Sequence, residues 1–122
     1  MGSRPVTIAV VEDDASMLRS IQRLLSVSGY LIESYPSAEA FLEKAGGCEA
    51  SLLLLDIHLG GLSGLELHRR LQAQGLNIPT IFMTALDDEE THRDALAAGC
   101  LAYLRKPFSP ALLIETIRKV AA

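Results

Sequence analysis

The sequence predicts an α/β fold in which five parallel strands form one sheet with helices on both faces. Three observations carry this. Strand-like and helix-like patterns alternate strictly from residue 7 onward, as βαβ units require. The run Leu52-Leu53-Leu54-Leu55 is apolar at every position, the pattern of a strand covered on both faces. Acids follow two such runs, Glu12-Asp13-Asp14 after the first and Asp56 after the third. In an open parallel sheet the ligand crevice lies at the carboxyl ends of the strands.

Each element has a local reason. Thr7 to Val11 is rich in β-branched residues and reads as the first strand. A helix from about Ala15 to Ser28 follows, with Met17, Ile21, Leu24 and Leu25 on one face and Gly29 to stop it. Leu31 to Tyr35 is a weaker second strand, interrupted by Glu33 and Ser34. Ser37 caps a helix running to Lys44, ended by Gly46-Gly47. Leu52 to Asp56 is the third strand, central in the sheet. A glycine-rich loop leads to a helix over about 65–74, stopped by Gly75, and Pro79 introduces a fourth strand, Thr80 to Thr84. Asp87 and Glu90 have capping-box spacing for a helix that ends near Gly99. Ala102 to Arg105 is the fifth strand. Ser109-Pro110 supplies a cap and a first-turn proline for a last helix reaching about Val120.

At 122 residues the chain is expected to be a single domain, 1–122. It is 49% hydrophobic, enough for a packed core. A net charge of −4 argues against direct, sequence-independent contact with nucleic acid. No apolar stretch approaches the roughly 20 residues of a membrane span, and the first residues lack the layout of a signal peptide. Met1-Gly2 suggests N-myristoylation, but Val6 stands where that motif wants Ser or Thr. Cys48 and Cys100 lack metal-ligand spacing and read as reduced thiols of a cytoplasmic protein, one in a loop and one packed.

The strand ends carry the chemistry. Strands one, three, four and five end in Glu12-Asp13-Asp14, Asp56, Thr84-Ala85 and Lys106-Pro107. Gathered carboxylates repel, by about 4 kcal/mol per pair at ~4 Å and an effective dielectric of 20. A cation relieves that, and Mg²⁺ prefers oxygen ligands, one or two carboxylates and a phosphate. Glu12, Asp13 and Asp56 total −3, which Mg²⁺ and Lys106 balance. With the metal in place, Asp56 is a candidate nucleophile toward phosphorus. Thr84 and Lys106 then supply a hydroxyl and a cation for the transferred group's oxygens.

These pieces resemble the receiver domain of bacterial two-component response regulators. The match runs from V-V-E-D-D at 10–14 through D-I-H-L-G-G-L-S-G-L-E at 56–66 and M-T-A at 83–85 to K-P-F at 106–108. The resemblance implies a flavodoxin-like (βα)5 fold with strand order 2-1-3-4-5. It implies that Asp56 is the phosphoacceptor, served by a sensor histidine kinase. Asp13 is then a direct Mg²⁺ ligand, Glu12 one acting through water, and the His58 backbone carbonyl a third. Thr84 is the hydroxyl that moves toward the phosphoryl group, Lys106 its cation, and Tyr103 the aromatic that changes rotamer. The Lys106–Pro107 bond is expected to be cis. The face of the fourth helix, fifth strand and fifth helix becomes the output surface, for an output domain or a homodimer. Such a domain is a signalling switch, not an enzyme, apart from limited self-phosphorylation from small phosphodonors and self-dephosphorylation. The chain is then expected to be either a stand-alone receiver or the N-terminal part of a longer regulator. Two positions depart from the pattern: Gly60 replaces a usual proline, and Glu12 the commoner aspartate.

Other readings set the boundaries. A Mg²⁺-dependent aspartyl-phosphate phosphatase wants a second acid two residues after the nucleophile, where this chain has His58. A degenerate receiver that only binds proteins is disfavoured by the intact Asp56, Thr84 and Lys106. Flavin binding lacks a phosphate-cradling loop after the first strand. Asp14 reads as a helix cap, His58 as an exposed loop residue, His68 and His92 as helix-surface residues, and Asp87 to Glu90 as a solvated helix start. The fourth helix, with little large and apolar beyond Leu96, is expected to pack least firmly.

Overall fold

The computed structural model describes residues 6–47, 49–86 and 88–121. The expectations for Met1-Gly2, Cys48 and Asp87 therefore lie outside the described residues. The strands are β1 (Thr7–Val11), β2 (Leu31–Tyr35), β3 (Leu52–Asp56), β4 (Thr80–Thr84) and β5 (Ala102–Arg105). Between and after them run α1 (Ala15–Val27), α2 (Ala38–Lys44), α3 (Gly64–Ala73), α4 (Glu89–Ala97) and α5 (Pro110–Ala121). A short 3-10 turn, Ala45–Gly47, extends α2. All strand pairings are parallel, and the sheet order is β2-β1-β3-β4-β5.

Strand alternation divides the core into two layers. Ile8, Val10, Leu52, Leu54, Ile81, Met83 and Leu104 pack with Ile21 and Leu25 of α1 and Leu113 and Ile117 of α5. Ala9, Val11, Leu53, Leu55 and Phe82 face Phe41 of α2, Leu67 and Leu71 of α3 and Ala95 of α4. β3 and β4 are buried along their whole length, as central strands of a doubly covered sheet must be.

Short polar side chains start the helices. Asp14, Ser37, Ser63 and Ser109 accept hydrogen bonds from the amides of Met17, Ala40, Glu66 and Leu112 at 3.0–3.1 Å. Three helices end alike: Gly29, Gly75 and Gly99 take φ of 92°, 78° and 85°. The amides that follow, of Tyr30, Leu76 and Cys100, return to the carbonyls of Leu25, Leu71 and Ala95. This six-to-one closure needs a left-handed residue, which glycine supplies without strain.

The structure corrects two local readings. The cap of α4 is Asp88, which accepts from Thr91 N at 2.6 Å, so the helix begins one turn-position later than the Asp87–Glu90 spacing implies. His68 is not on the helix surface: it is 6% exposed and packs edge-to-face on Phe82, ring centroids 5.4 Å apart. Leu96 is 58% exposed, so the one residue α4 buries is Ala95, among those described. The expected weak packing of α4 holds.

Candidate functional site

At the carboxyl edge of the sheet, β1 and β3 end side by side, with Val11 opposite Leu55 in the register. Glu12 directly follows β1 and Asp56 is the last residue of β3, on strands that pair directly. Both carboxylates are buried, 1% and 4% exposed. Asp13, one residue further out, is exposed. One carboxylate oxygen from each of Glu12, Asp13 and Asp56 lies within 4.8 Å of the others. An oxygen-only set of three acids at that separation suits a hard divalent cation.

Lys106 enters this cluster from the turn after β5. Its ammonium donates to Asp56 Oδ2 at 2.9 Å and also to Glu12 Oε1. The lysine side chain is 13% exposed. Burial pulls its pKa down, but the bonds and charges of Glu12 and Asp56 outweigh that and leave it raised. Burial pushes Glu12 up to about 7, against the pull of Lys106 and of the Asp14 amide, which donates to Glu12 Oε2 at 3.1 Å. The two shifts oppose each other, one favouring a charged lysine and the other a neutral acid. An ammonium in direct contact with both carboxylates favours the ionised pair near neutrality.

The loop after β3 closes the site from one side. The His58 amide donates to Asp56 Oδ1 at 3.0 Å, so both oxygens of that carboxylate are engaged. α3 docks directly against the strand end. A Cβ on Gly64 would sit 2.2 Å from the Asp56 carbonyl oxygen, so only glycine allows this approach. The Gly64 amide donates to Ile57 O at 2.9 Å.

The remaining singled-out residues sit around this centre. Thr84 ends β4 one residue beyond Met83, the register partner of Asp56. It is fully buried, and its hydroxyl is turned to the Leu86 backbone, accepting from the amide and donating to the carbonyl at 3.0 Å each. Tyr103 is half-buried on β5 opposite Phe82, and its ring stacks on His92 of α4 at 4.7 Å. The Lys106–Pro107 peptide is cis. His58 is exposed, as its loop position suggested, and hydrogen bonds from Thr91 hold the nearby Asp88 carboxyl low. Asp14 is the cap it was read to be. Sequence patterns gave no hint of Glu39 on α2, whose carboxylate accepts from the Leu62 amide at 3.0 Å. Nor did they mark Gly64, whose need is set by a backbone approach from another element.

The chain is similar to known proteins in sequence and in fold. The family model for the response regulator receiver domain matches residues 8–118. The transcriptional regulatory protein FixJ of Rhizobium meliloti (strain 1021) is 31% identical over 94% of this chain and 56% of its own length. The response regulator protein TmoT of Ectopseudomonas mendocina is 31% identical over 97% of this chain and 54% of its own. The chain thus spans about half the length of the curated relatives it matches. Among solved structures, FixJ-N superposes with a TM-score of 0.89 at 30% identity, covering 98% of this chain and 95% of that one. A CheY-like receiver domain protein from Methanospirillum hungatei JF-1 gives 0.89 at 30% identity over 97% and 95%.

Proposed function

The chain belongs to the response regulator receiver domain family, and from that premise we propose that it is a phosphorylation switch with Asp56 as phosphoacceptor. A sensor histidine kinase is the donor: an O–P bond forms to Asp56 as the P–N bond to the kinase histidine breaks. The observation that carries this is the cluster of Glu12, Asp13 and Asp56 with Lys106 already bonded to Asp56. Asp13, Asp56, the His58 carbonyl and, through water, Glu12 would hold Mg²⁺, which would supply charge neutralisation for the phosphoryl oxygens. Lys106 holds Asp56 in place before transfer and balances charge on the phosphoryl group afterwards. Thr84 offers a hydroxyl that exchanges its Leu86 contacts for a phosphoryl oxygen.

The readout in this proposal is the surface of α4, β5 and α5. Thr84 leaving Leu86 alters the turn that enters α4, and the His92–Tyr103 stack joins α4 to β5. Leu96, Leu101 and Leu112 are 58%, 59% and 44% exposed on or beside these elements. That apolar exposure supports an output domain or a second copy as the partner. In this reading the domain is cytoplasmic, contacts no nucleic acid itself, and self-phosphorylates from small donors only slowly. None of the described helices is long and apolar enough to cross a membrane.

The test is intact mass after incubation with acetyl phosphate, with and without Mg²⁺, beside Asp56→Asn. One phosphoryl group gained only with Mg²⁺, and absent in Asp56→Asn, is the expected result. A phosphorylated Asp56→Asn protein overturns the assignment.

A further inference from the structure

The loop between β3 and α3 is fastened at every second amide to a carboxylate from a different part of the fold. His58 N donates to Asp56 Oδ1 at 3.0 Å, Gly60 N to Asp13 Oδ2 at 3.1 Å, and Leu62 N to Glu39 Oε2 at 3.0 Å. The acids come from the end of β3, the β1–α1 turn and the first turn of α2. The far fastening is close: a Cβ on Gly61 would meet Glu39 Oε2 at 2.5 Å, so the bare glycine backbone lets the carboxylate reach Leu62. The Leu62 amide also holds the Glu39 carboxyl below its ordinary range.

We infer that this strap orients the cation site, with Gly60 and Glu39 as positioning residues. Asp13 is the exposed member of the acid set, and an unrestrained aspartate there samples several rotamers. The Gly60 amide holds one of its oxygens and so restricts the rotamers open to it. Hydrogen bonds to ligating carboxylates are the usual means of orienting them. Glu39, by holding Leu62, keeps the loop at the height that brings Gly60 to Asp13. The N–H, not the absent side chain, is what position 60 contributes. A Cβ there has room, its nearest neighbour being Asp13 Oδ2 at 3.5 Å, whereas proline has no N–H to give.

This inference rests on the proposed cation site, and the experiment separates the two. Mg²⁺ affinity of the unphosphorylated protein is read from amide shifts, together with hydrogen exchange at Gly60 without metal. Gly60→Pro is expected to weaken Mg²⁺ about tenfold, the low end for loss of such an outer contact. Gly60→Ala, which keeps the N–H, stays within about twofold, inside the spread of an unstrained change. Glu39→Ala speeds exchange at Gly60 and weakens Mg²⁺ by roughly threefold, a smaller loss because it acts at one remove. Wild type that takes up no Mg²⁺ overturns the cation reading and the strap with it. Wild type that binds while Glu39→Ala and Gly60→Pro bind equally well overturns the strap alone. So does Gly60→Ala as weak as Gly60→Pro, or free exchange of the Gly60 amide in the wild type. Should Gly60→Pro not fold, Glu39→Ala decides.

Discussion

The Lys106 ammonium lies 2.9 Å from Asp56 Oδ2, joining the turn after the edge strand β5 to the end of the central strand β3 across β4. The same ammonium also holds Glu12, so a single cation serves two buried acids.

Lys106→Met therefore leaves two carboxylates facing each other without their partner. Unfolding in urea is expected to show a loss of about 2 kcal/mol, in the range for hydrogen bonds to charged groups. Added Mg²⁺ should recover more of the stability in Lys106→Met than it adds to wild type. Equal gains in the two proteins would count against a shared cation site.

His68 gives the fold a pH dependence on the acid side. Burial holds its pKa below the ordinary value of 6.5, so the folded protein binds fewer protons than the unfolded chain as pH falls past that value. Its contribution is complete above about pH 6.5 and declines as the pH drops toward the depressed folded value. Thermal denaturation at pH 7.5 and 5.5 should show a smaller drop in His68→Leu than in wild type. An identical drop would show that other groups set the acid limb.

Gly64→Ala forces a methyl group to within 2.2 Å of the Asp56 carbonyl oxygen. The three nearest atoms, Asp56 O and C and Ile57 Cα, are all backbone, so α3 must move. A loss of about 3 kcal/mol is expected from urea midpoints, the upper part of the usual range for overpacking. Phosphorylation should slow as well, because the strand end that carries Asp56 shifts with it. Unchanged stability would mean that α3 does not sit this close.

His92→Ala removes the ring stacked on Tyr103. The pair is partly exposed, so the stability change should stay near 0.5 kcal/mol, the low end for aromatic pairs. The larger effect is local. α4 buries Ala95 alone among its described residues, so amide exchange along Glu89–Ala97 should accelerate while β3 and β4 stay protected. Uniform change across the domain would show that α4 does not open on its own.

Much of this was legible from residue order. All five strands fall on the residues their patterns indicated, most plainly β3, whose run is apolar because it is buried on both faces. The helix ends at Gly29, Gly75 and Gly99 were legible for the same local reason: a left-handed closing residue is nearly always glycine. The misread residues are those whose surroundings come from other elements. His68 looks like a surface residue until Phe82 of β4 lies beneath it.

The candidate site divides along the same line. Residue order sets which functional groups reach the sheet edge, because the acids, Thr84 and Lys106 end or closely follow strands. How they are joined is a matter of long-range packing. Lys106 contacts Glu12 across 94 positions and Asp56 across 50, Gly60 reaches Asp13 across 47, and Leu62 reaches Glu39 across 23. Contacts of that separation follow from strand order and loop height, which no local pattern encodes. They depend on where packing brings the backbone to rest, and there a single amide or a missing Cβ determines which oxygen is held.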